Sequence, residues 1–299
     1  MPSKSTWSIL FSASRYATAL TLHTLTHHLI PKQHTRYVNE LITFYLDTVI
    51  HELESNPSSR TTLSETYSTY RILTPPKPTY HQFITDNALP VEWWQARLRL
   101  LHLLGSSQPG TSSYDVPTIL TRLAPYSNEL VPEMIILHGR QQQHQEALRL
   151  LTHGLGDFDT AISYCLYGYS SIFRPRTRPG TLPVAAADLP PRAEQSRLFG
   201  FLLQEFLAIE DMSQRIERTG ELLERFGGWF DVGAVLALLP DEWSVDIFSG
   251  FLINSLRRLV REKAESGVVR ALSDAQNSQM SAELVERREK AGPTVEKVG

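Results

Sequence analysis

The side chains best suited to chemistry are three histidines near the N-terminus. His23 and His27 lie four residues apart, with His28 beside them, so two imidazoles would share one face of a helix. That spacing is geometrically able to bind a metal ion. No carboxylate of the HExxH kind accompanies them, and the interspersed leucines are typical of an ordinary amphipathic helix. We therefore expect a structural or solvated histidine cluster and no metal site.

The second candidate for chemistry is Cys165, the only cysteine. A single cysteine excludes an intrachain disulfide and a cysteine-built zinc site. It follows Tyr164 in an apolar helical pattern, which favours a small buried hydrophobic residue over a nucleophile. No glycine-rich phosphate loop follows a strand, and no nucleophile elbow has the required strand–turn–helix context. The sequence therefore predicts neither an enzyme nor a cofactor site.

Composition limits the remaining classes of protein. The 299 residues carry 29 Lys+Arg against 32 Asp+Glu, a net charge of −3, and 41% of them are hydrophobic. The apolar fraction suits a folded protein, and the charge argues against a large basic surface for nucleic acid. The longest apolar runs, such as 234–239, fall far short of the roughly 20 residues that span a bilayer. At this length either two domains or a repeat architecture is expected.

Helical periodicity dominates the chain. In 35–54 one face is apolar. In the next clear segment Trp94 aligns with Leu98 and Leu101 as core, while Trp93 is expected at an edge or a contact surface. Short turns separate the segments, so consecutive helices should pack as antiparallel neighbours. Helices are predicted at 8–29, 35–54, 63–73, 91–104, 115–123, 128–138, 143–153, 157–167, 194–209, 213–226, 230–239 and 245–263.

This pattern predicts an all-α fold, specifically an α-solenoid of antiparallel helical hairpins. A short internal match supports it: 156–161 and 228–233 resemble two copies of one helix start, with Phe158 and Phe230 separated by 72 positions. We predict N-terminal hairpins at 1–105, central solenoid repeats at 106–173 and C-terminal repeats at 194–290. A proline-rich linker or insertion is expected at 174–193, a fraying helix at 264–290 and a disordered tail at 291–299.

Aromatic and basic side chains in 228–263 are the candidate partner-binding residues. Aromatic residues in this region can lock hairpins together or anchor an interface. The arginines suit either a solvated helix end or an anionic partner surface. The candidates are Trp229, Phe230, Trp243, Phe248, Arg257, Arg258 and Arg261. Charge reversal at the three arginines is expected to weaken partner binding while helicity is unchanged.

Several of these segments resemble one known family. Four short stretches are similar to a signature of the vacuolar sorting protein 39 / transforming growth factor-β receptor-associated protein family. They are His-Gly-Arg at 138–140, Glu-Ala-Leu-Arg at 146–149, Gly-Asp-Phe-Asp-Thr-Ala at 156–161 and Tyr-Cys at 164–165. The block at 237–245, ending Trp-Ser-Val, resembles the receptor-associated branch, whose fungal relatives are CORVET subunits, more than the HOPS branch. The resemblance covers about 40–284.

That resemblance implies a non-enzymatic tether subunit with a solenoid similar to clathrin heavy-chain repeats. Family members begin with a β-propeller and end in a cysteine-containing element, so we expect this chain to be a C-terminal fragment. The implied partners are the class C core subunits, and binding of a Rab GTPase is expected of the absent N-terminal part. The implied location is cytoplasmic, peripheral on endosomal or vacuolar membranes. An adaptor that binds receptor tails or peptides in a solenoid groove is the alternative.

Overall fold

The computed structural model describes residues 31–74, 77–106, 114–168, 189–240 and 242–292, and every regular element in these ranges is a helix. The predicted all-α class is therefore confirmed, while the repeat arrangement and the domain boundaries stay predictions. The predicted helix at 8–29, with its three histidines, most of the 174–193 linker and the tail from 293 lie outside the described residues. The chain divides into two compact units, Met1–Ile209 and Glu210–Gly299, which we call the N-terminal and C-terminal units.

The described part of the N-terminal unit contains α-helices interrupted by one short 3-10 turn at Ala124–Tyr126 and one π-helical turn at Leu150–Leu155. The α-helices are α1 (Pro31–Ser55), α2 (Pro57–Ile72), α3 (Tyr80–Asp86), α4 (Glu92–Ser106), α5 (Val116–Leu123), α6 (Val131–Arg140), α7 (His144–Arg149), α8 (Phe158–Tyr167) and α9 (Arg192–Leu207).

The core of this unit begins where α1 packs on α4. Ile42, Leu46 and Val49 are completely buried on the face of α1 that periodicity predicts. On α4, Trp93 and Trp94 are both buried, with their rings 5.3 Å apart in an edge-to-face arrangement. The expectation that Trp93 lies at an edge is therefore wrong, because α4 is covered over more of its circumference than a single apolar stripe requires.

Helix α3 is the element that the sequence pattern does not predict. It follows the proline-rich stretch and has seven residues, too few for a clear helical period. Thr79 caps its N-terminus by accepting a hydrogen bond from the Gln82 amide at 3.3 Å. Its rings join an aromatic cluster in which Tyr70 lies 5.2 Å from Tyr80 and 5.3 Å from Phe83, measured between ring centroids. Aromatic packing therefore supplies the stability that local propensity lacks.

The described part of the C-terminal unit is built around α10 (Met212–Phe226), α11 (Val232–Leu238) and α12 (Ser249–Ala291), with 3-10 turns at Gly227–Trp229 and Val245–Phe248. Asp211 caps α10 and Asp231 caps α11 through hydrogen bonds from nearby backbone amides. Gly227 allows the first turn to approach α12 closely, since a Cβ there would lie 2.8 Å from the ring of Phe251. Both turns contact α10 and α12.

Helix α12 is much longer than the predicted helix at 245–263. It continues without interruption to Ala291, so the segment expected to fray is part of the same helix. Ser255 is its last buried residue, and every residue from 259 to 290 is exposed. At 1.5 Å per residue this exposed part extends about 48 Å. The C-terminal unit therefore contains a long helix that its own core stabilises only at the N-terminal end.

The proposed internal match between 156–161 and 228–233 differs in helix register. Asp157 caps α8, whereas the corresponding cap on α11 is Asp231, which the match aligns with Asp159. Phe158 is the first residue of α8, but Phe230 lies two residues before α11. Both helices do begin with an aspartate cap next to a phenylalanine, which explains the sequence similarity without an equivalent register.

Candidate protein-interaction site

The segment 138–165, which carries the strongest family resemblance, is a set of close helix contacts in the N-terminal unit. A Cβ on Gly139 of α6 would lie 3.2 Å from the Tyr164 hydroxyl of α8, so glycine permits this approach. The same hydroxyl lies 2.6 Å from Nδ1 of His144 on α7. Burial lowers the pKa of His144 and raises that of Tyr164, so a neutral imidazole and a neutral phenol share this hydrogen bond. The contact fastens three helices together.

Asp157 is the most connected side chain of this segment. Its Oδ1 accepts from the Thr160 amide at 3.1 Å, which caps α8. Its Oδ2 accepts from the hydroxyls of Thr160 and Tyr70, both at 2.6 Å. Because Asp157 is only 2% exposed, these hydrogen bonds replace the water that its carboxylate loses on folding. The aspartate thus ties α8 to α2.

The π-helical turn before Asp157 is held by two cations that are distant in sequence. Arg71 donates to the carbonyl oxygens of His153, at 2.9 Å, and Gly154, at 3.0 Å, and Lys77 donates to that of Gly156 at 3.1 Å. Carbonyl groups at a helix C-terminus attract cations. Gly156 ends the turn in the left-handed region, with φ of 63°. These contacts give the signature residues a structural role.

A cleft of about 460 Å³ opens next to this turn, and it is the place where a peptide side chain could enter. Its polar lining includes Arg71, Ser127, Asn128, Arg149 and His153. The two arginines and the histidine already have partners: Arg71 binds carbonyl oxygens, Arg149 lies 2.8 Å from Glu146, and the imidazole of His153 lies 3.2 Å from Glu205. The cleft therefore offers little unpaired charge to an anionic ligand.

Cys165 lies on α8 and is completely buried, as the sequence predicts. Burial raises the pKa of its thiol well above the ordinary value, so the thiol stays protonated and is poorly suited to nucleophilic attack. Among the described residues no three histidine, cysteine or carboxylate side chains gather as metal ligands. The histidines at 23, 27 and 28 lie outside those residues.

The predicted aromatic contact residues all belong to the C-terminal unit, and three of the four are buried. Phe230 is 6% exposed, Trp243 is 7% exposed and Phe248 is 8% exposed. Trp229 is half-buried and stacks against Phe226 at 5.8 Å between ring centroids. Trp229 is therefore the most exposed of the four rings. Their part in partner binding stays a prediction.

The three predicted arginines have two different environments. Arg258 is half-buried and donates to the carbonyl oxygens of Gly227 and Phe230, both at 3.2 Å. It therefore fastens α12 to the turn before α11. Arg257 and Arg261 are exposed on the same helix. Charge reversal at Arg258 would disturb the unit itself, so Arg257 and Arg261 are the positions that can test a contact with a partner.

Exposed apolar side chains are concentrated beside these two arginines. Ile253 is 50% exposed, Leu256 is 57% exposed and Val260 is 69% exposed. Their spacing of three and four residues places them on one face of α12, which we call the α12 stripe. Sequence reasoning did not select these residues, because an apolar face at helical spacing is ordinarily buried. The signal that could have found them is the presence of apolar residues on two faces of one helix.

Among the described residues, no helix is both long enough and apolar enough to cross a bilayer. The α12 stripe is short and lies next to charged residues, so its exposure has a different explanation. Contiguous exposed apolar side chains are candidates for a surface that binds another macromolecule. The fold and the stripe together define an all-α protein with a candidate interaction surface on its C-terminal unit.

The relatives of the chain are named for their association with another protein. The chain is 26% identical over 234 residues to transforming growth factor-beta receptor-associated protein 1 of Mus musculus, a match that covers 78% of this chain and 24% of that protein. The protein of that name from Bos taurus is 34% identical over 48% of this chain and 15% of its own length. The Homo sapiens protein is 30% identical over 55% of this chain and 17% of its own length.

These identities show distant homology to transforming growth factor-beta receptor-associated protein 1. The matched segments span between 15% and 24% of the relatives' own length, so the chain corresponds to about a fifth of each. The relatives' names describe association with a receptor and mention no catalytic activity. No protein-family model matches the chain. No solved structure matches it either.

Proposed function

We propose that the chain is a non-enzymatic scaffold of a membrane-tethering complex. Its C-terminal unit docks onto the class C core of a CORVET-type endosomal tether, and the protein thereby takes part in vesicle fusion and in transport from endosome to vacuole. In this role it is cytoplasmic and peripheral on endosomal or vacuolar membranes. The observation that carries the proposal is the exposed apolar surface of α12, in a chain related to receptor-associated proteins.

The distribution of exposed apolar side chains supports docking through the C-terminal unit. Phe44, Ile72 and Val91 are the large apolar side chains recorded as exposed in the described N-terminal unit. In the described C-terminal unit fourteen are exposed, ten of them on α12. Moving an exposed apolar side chain out of water lowers the free energy. A unit rich in such side chains therefore favours association with a partner.

A binding assay with purified proteins tests this role. The whole chain is immobilised and titrated with the class C core subunits, and the proposal predicts saturable binding at micromolar concentration or below. A folded chain, verified by circular dichroism, that shows no binding in this range would contradict the proposal. A matched titration uses synthetic peptides from the cytoplasmic segment of transforming growth factor-β receptors.

The adaptor alternative predicts a different outcome in the second titration. A groove-binding adaptor retains its affinity for short peptides, whereas subunit docking needs a folded partner that buries a larger surface. The cleft near the π-helical turn is the candidate groove for such a peptide, and its arginines already have partners. Binding of the receptor peptides without binding of the core subunits would replace the scaffold proposal by the adaptor.

A further inference from the structure

We propose that the α12 stripe binds an amphipathic helix of the partner protein and that acidic side chains flank the apolar face of that helix. The inference rests on the proposed scaffold role and adds the chemistry of the docking contact. Three observations carry it: the exposure of the stripe, the basic residues beside it, and the long exposed part of α12 that follows it.

The stripe has the geometry of one half of a helix–helix contact. Ile253, Leu256 and Val260 repeat at i, i+3 and i+7, the spacing with which one helix packs on another. Leu259, which is 46% exposed, lies next to them and widens the face. A partner helix laid along this face would remove all four side chains from water at once.

The positive charge beside the stripe favours a partner helix with acidic edges. Residues 257–270 carry five basic and two acidic side chains. Arg257 and Arg261 lie one turn apart and are both exposed, and Arg257 follows Ile253 by four residues. Acidic residues at the edges of a partner helix would pair with them, as charges that flank an apolar seam do in coiled coils.

A second copy of this chain fits the surface less well. In a parallel pair, Arg257 would lie opposite the other flank of the seam, where Leu252 and Leu259 offer no acidic partner. In an antiparallel pair with stripe against stripe, Arg257 and Arg261 would lie near the same arginines of the other copy, because the midpoint of the stripe lies beside Arg257, and like charges across a seam are unfavourable. Charge therefore favours a different protein as the occupant.

A membrane surface also fits less well. Helices that lie in the lipid interface keep one continuous apolar face and use aromatic side chains as anchors. Residues 252–290 contain no phenylalanine, tyrosine or tryptophan. After the stripe, the apolar residues Val268, Val269 and Leu272 are all exposed but do not continue its face, since successive positions on a helix differ by 100°.

The exposed part of α12 indicates that the partner contact extends beyond the stripe. An isolated helix in water gains little stability from propensity alone, and most helices are stabilised by packing an apolar face. Residues 259–290 contain exposed apolar side chains as far as Leu284 and Val285, yet no buried one. A partner that also contacts these residues, on a face of α12 separate from the stripe, would supply the packing that this part of the helix lacks.

The test uses the whole chain and two synthetic helices as probes. The probes have the same length and the same leucine face, and they differ only in their flanking residues, glutamate in one and lysine in the other. Fluorescence anisotropy is expected to give at least about tenfold tighter binding of the glutamate probe, as several charge pairs of modest strength add together. Equal affinity, a preference for the lysine probe, or binding of neither probe would overturn the inference.

Two sets of variants locate the contact. R257E combined with R261E is expected to reverse the preference between the probes, and Leu256→Asp combined with Val260→Asp is expected to weaken both by about tenfold or more. R122E combined with R149E is the control for charge at exposed positions of the other unit, and Ile72→Asp is the control for an exposed apolar residue there. Unchanged preference in the first variant would overturn the inference.

Two further measurements examine the competing occupants. Light scattering that shows a dimer of the chain, lost in the Leu256→Asp/Val260→Asp variant, would assign the stripe to a second copy. Flotation with phosphatidylcholine–phosphatidylserine vesicles, lost in the same variant, would assign it to a membrane. The proposed function fails separately, when the unaltered chain does not bind the class C core although it binds the glutamate probe.

Discussion

The two units differ in which side chains they bury and which they expose. The N-terminal unit buries charged groups in specific pairs, and the described part exposes few large apolar side chains. The C-terminal unit leaves many large apolar side chains on its longest helix in water. The contrast indicates that the first unit is stabilised by its own contacts, whereas the second leaves an apolar surface exposed, which in the proposed function a partner covers.

Arg97 and Glu133 show how the N-terminal unit is specified. Both side chains are buried, with Arg97 Nε 2.9 Å from Glu133 Oε1, and Arg97 also donates to the Tyr67 hydroxyl at 2.9 Å. Burial alone would lower the pKa of Arg97, but Glu133 more than offsets this, so the pKa lies well above its ordinary value. The pair joins α4 to α6 and fixes how these helices pack.

Removal of Arg97 should have the largest effect on stability. Arg97→Leu leaves the Glu133 carboxylate buried and unpaired, which is expected to cost about 3–5 kcal/mol of unfolding free energy. Urea denaturation followed by circular dichroism measures it. Arg122→Leu is the control, because Arg122 pairs with Asp47 on the surface, where an ion pair contributes at most about 1 kcal/mol. Equal losses of unfolding free energy in the two variants would show that the buried pair contributes no more to stability than the exposed pair.

A methyl group added at Gly154 should have the next largest effect. A Cβ at this position would lie 2.8 Å from Cγ1 of Val131, so Gly154→Ala overpacks the contact between the π-helical turn and α6. We expect a loss of about 1–3 kcal/mol in unfolding free energy. Gly200→Ala is the matched control on α9, since nothing lies within 4 Å of its Cβ and alanine favours the helix. The two variants should therefore shift the urea midpoint in opposite directions.

Acid should weaken the N-terminal unit through His144. Burial, with a further contribution from Arg197, lowers the pKa of this imidazole in the folded chain. The unfolded state therefore binds more protons below pH 6.5, and stability falls as the pH decreases from 6.5 toward the folded pKa, by at most about 1.4 kcal/mol per pH unit. His144→Gln should show a smaller loss between pH 7 and pH 5.5 in urea titrations. An unchanged pH dependence would show that His144 does not cause it.

Polar substitution of the α12 stripe should have the smallest effect on the free chain. Leu256→Asp combined with Val260→Asp removes exposed side chains, so the unfolding free energy should change by no more than about 0.5 kcal/mol for each. Leu101→Ala, at a completely buried position of α4, should cost about 2–5 kcal/mol by comparison. If the α12 variant lost as much stability as the Leu101 variant, the stripe would belong to the core of the chain.

The sequence predicted the parts of the fold whose periodicity is strong. The buried face of α1 and the apolar face of α4 follow directly from the spacing of their residues. Helix α3 was missed because aromatic contacts with α2 stabilise it, and such contacts have no local signature. The π-helical turn was also missed, since cations from Arg71 and Lys77, distant in sequence, satisfy its carbonyl groups.

For the candidate site, the sequence located the region but not the residues on its surface. The arginines at 257 and 261 were selected, and the structure shows both of them exposed. Phe230, Trp243 and Phe248 were selected as well, and the structure buries them. Which face of an amphipathic helix remains in water depends on the packing of the whole unit. That packing exposes Leu256 and buries Phe251 on the same helix.

The central claim is that the C-terminal unit completes its packing on a partner, and hydrogen exchange tests it most directly. Amides in residues 259–290 lack packing contacts in the described chain and should exchange rapidly when it is alone. With the class C core subunits bound, we predict strong protection of this segment and little change in α4 and α6 of the N-terminal unit. Protection confined to the N-terminal unit, with α12 still exchanging rapidly, would contradict the account.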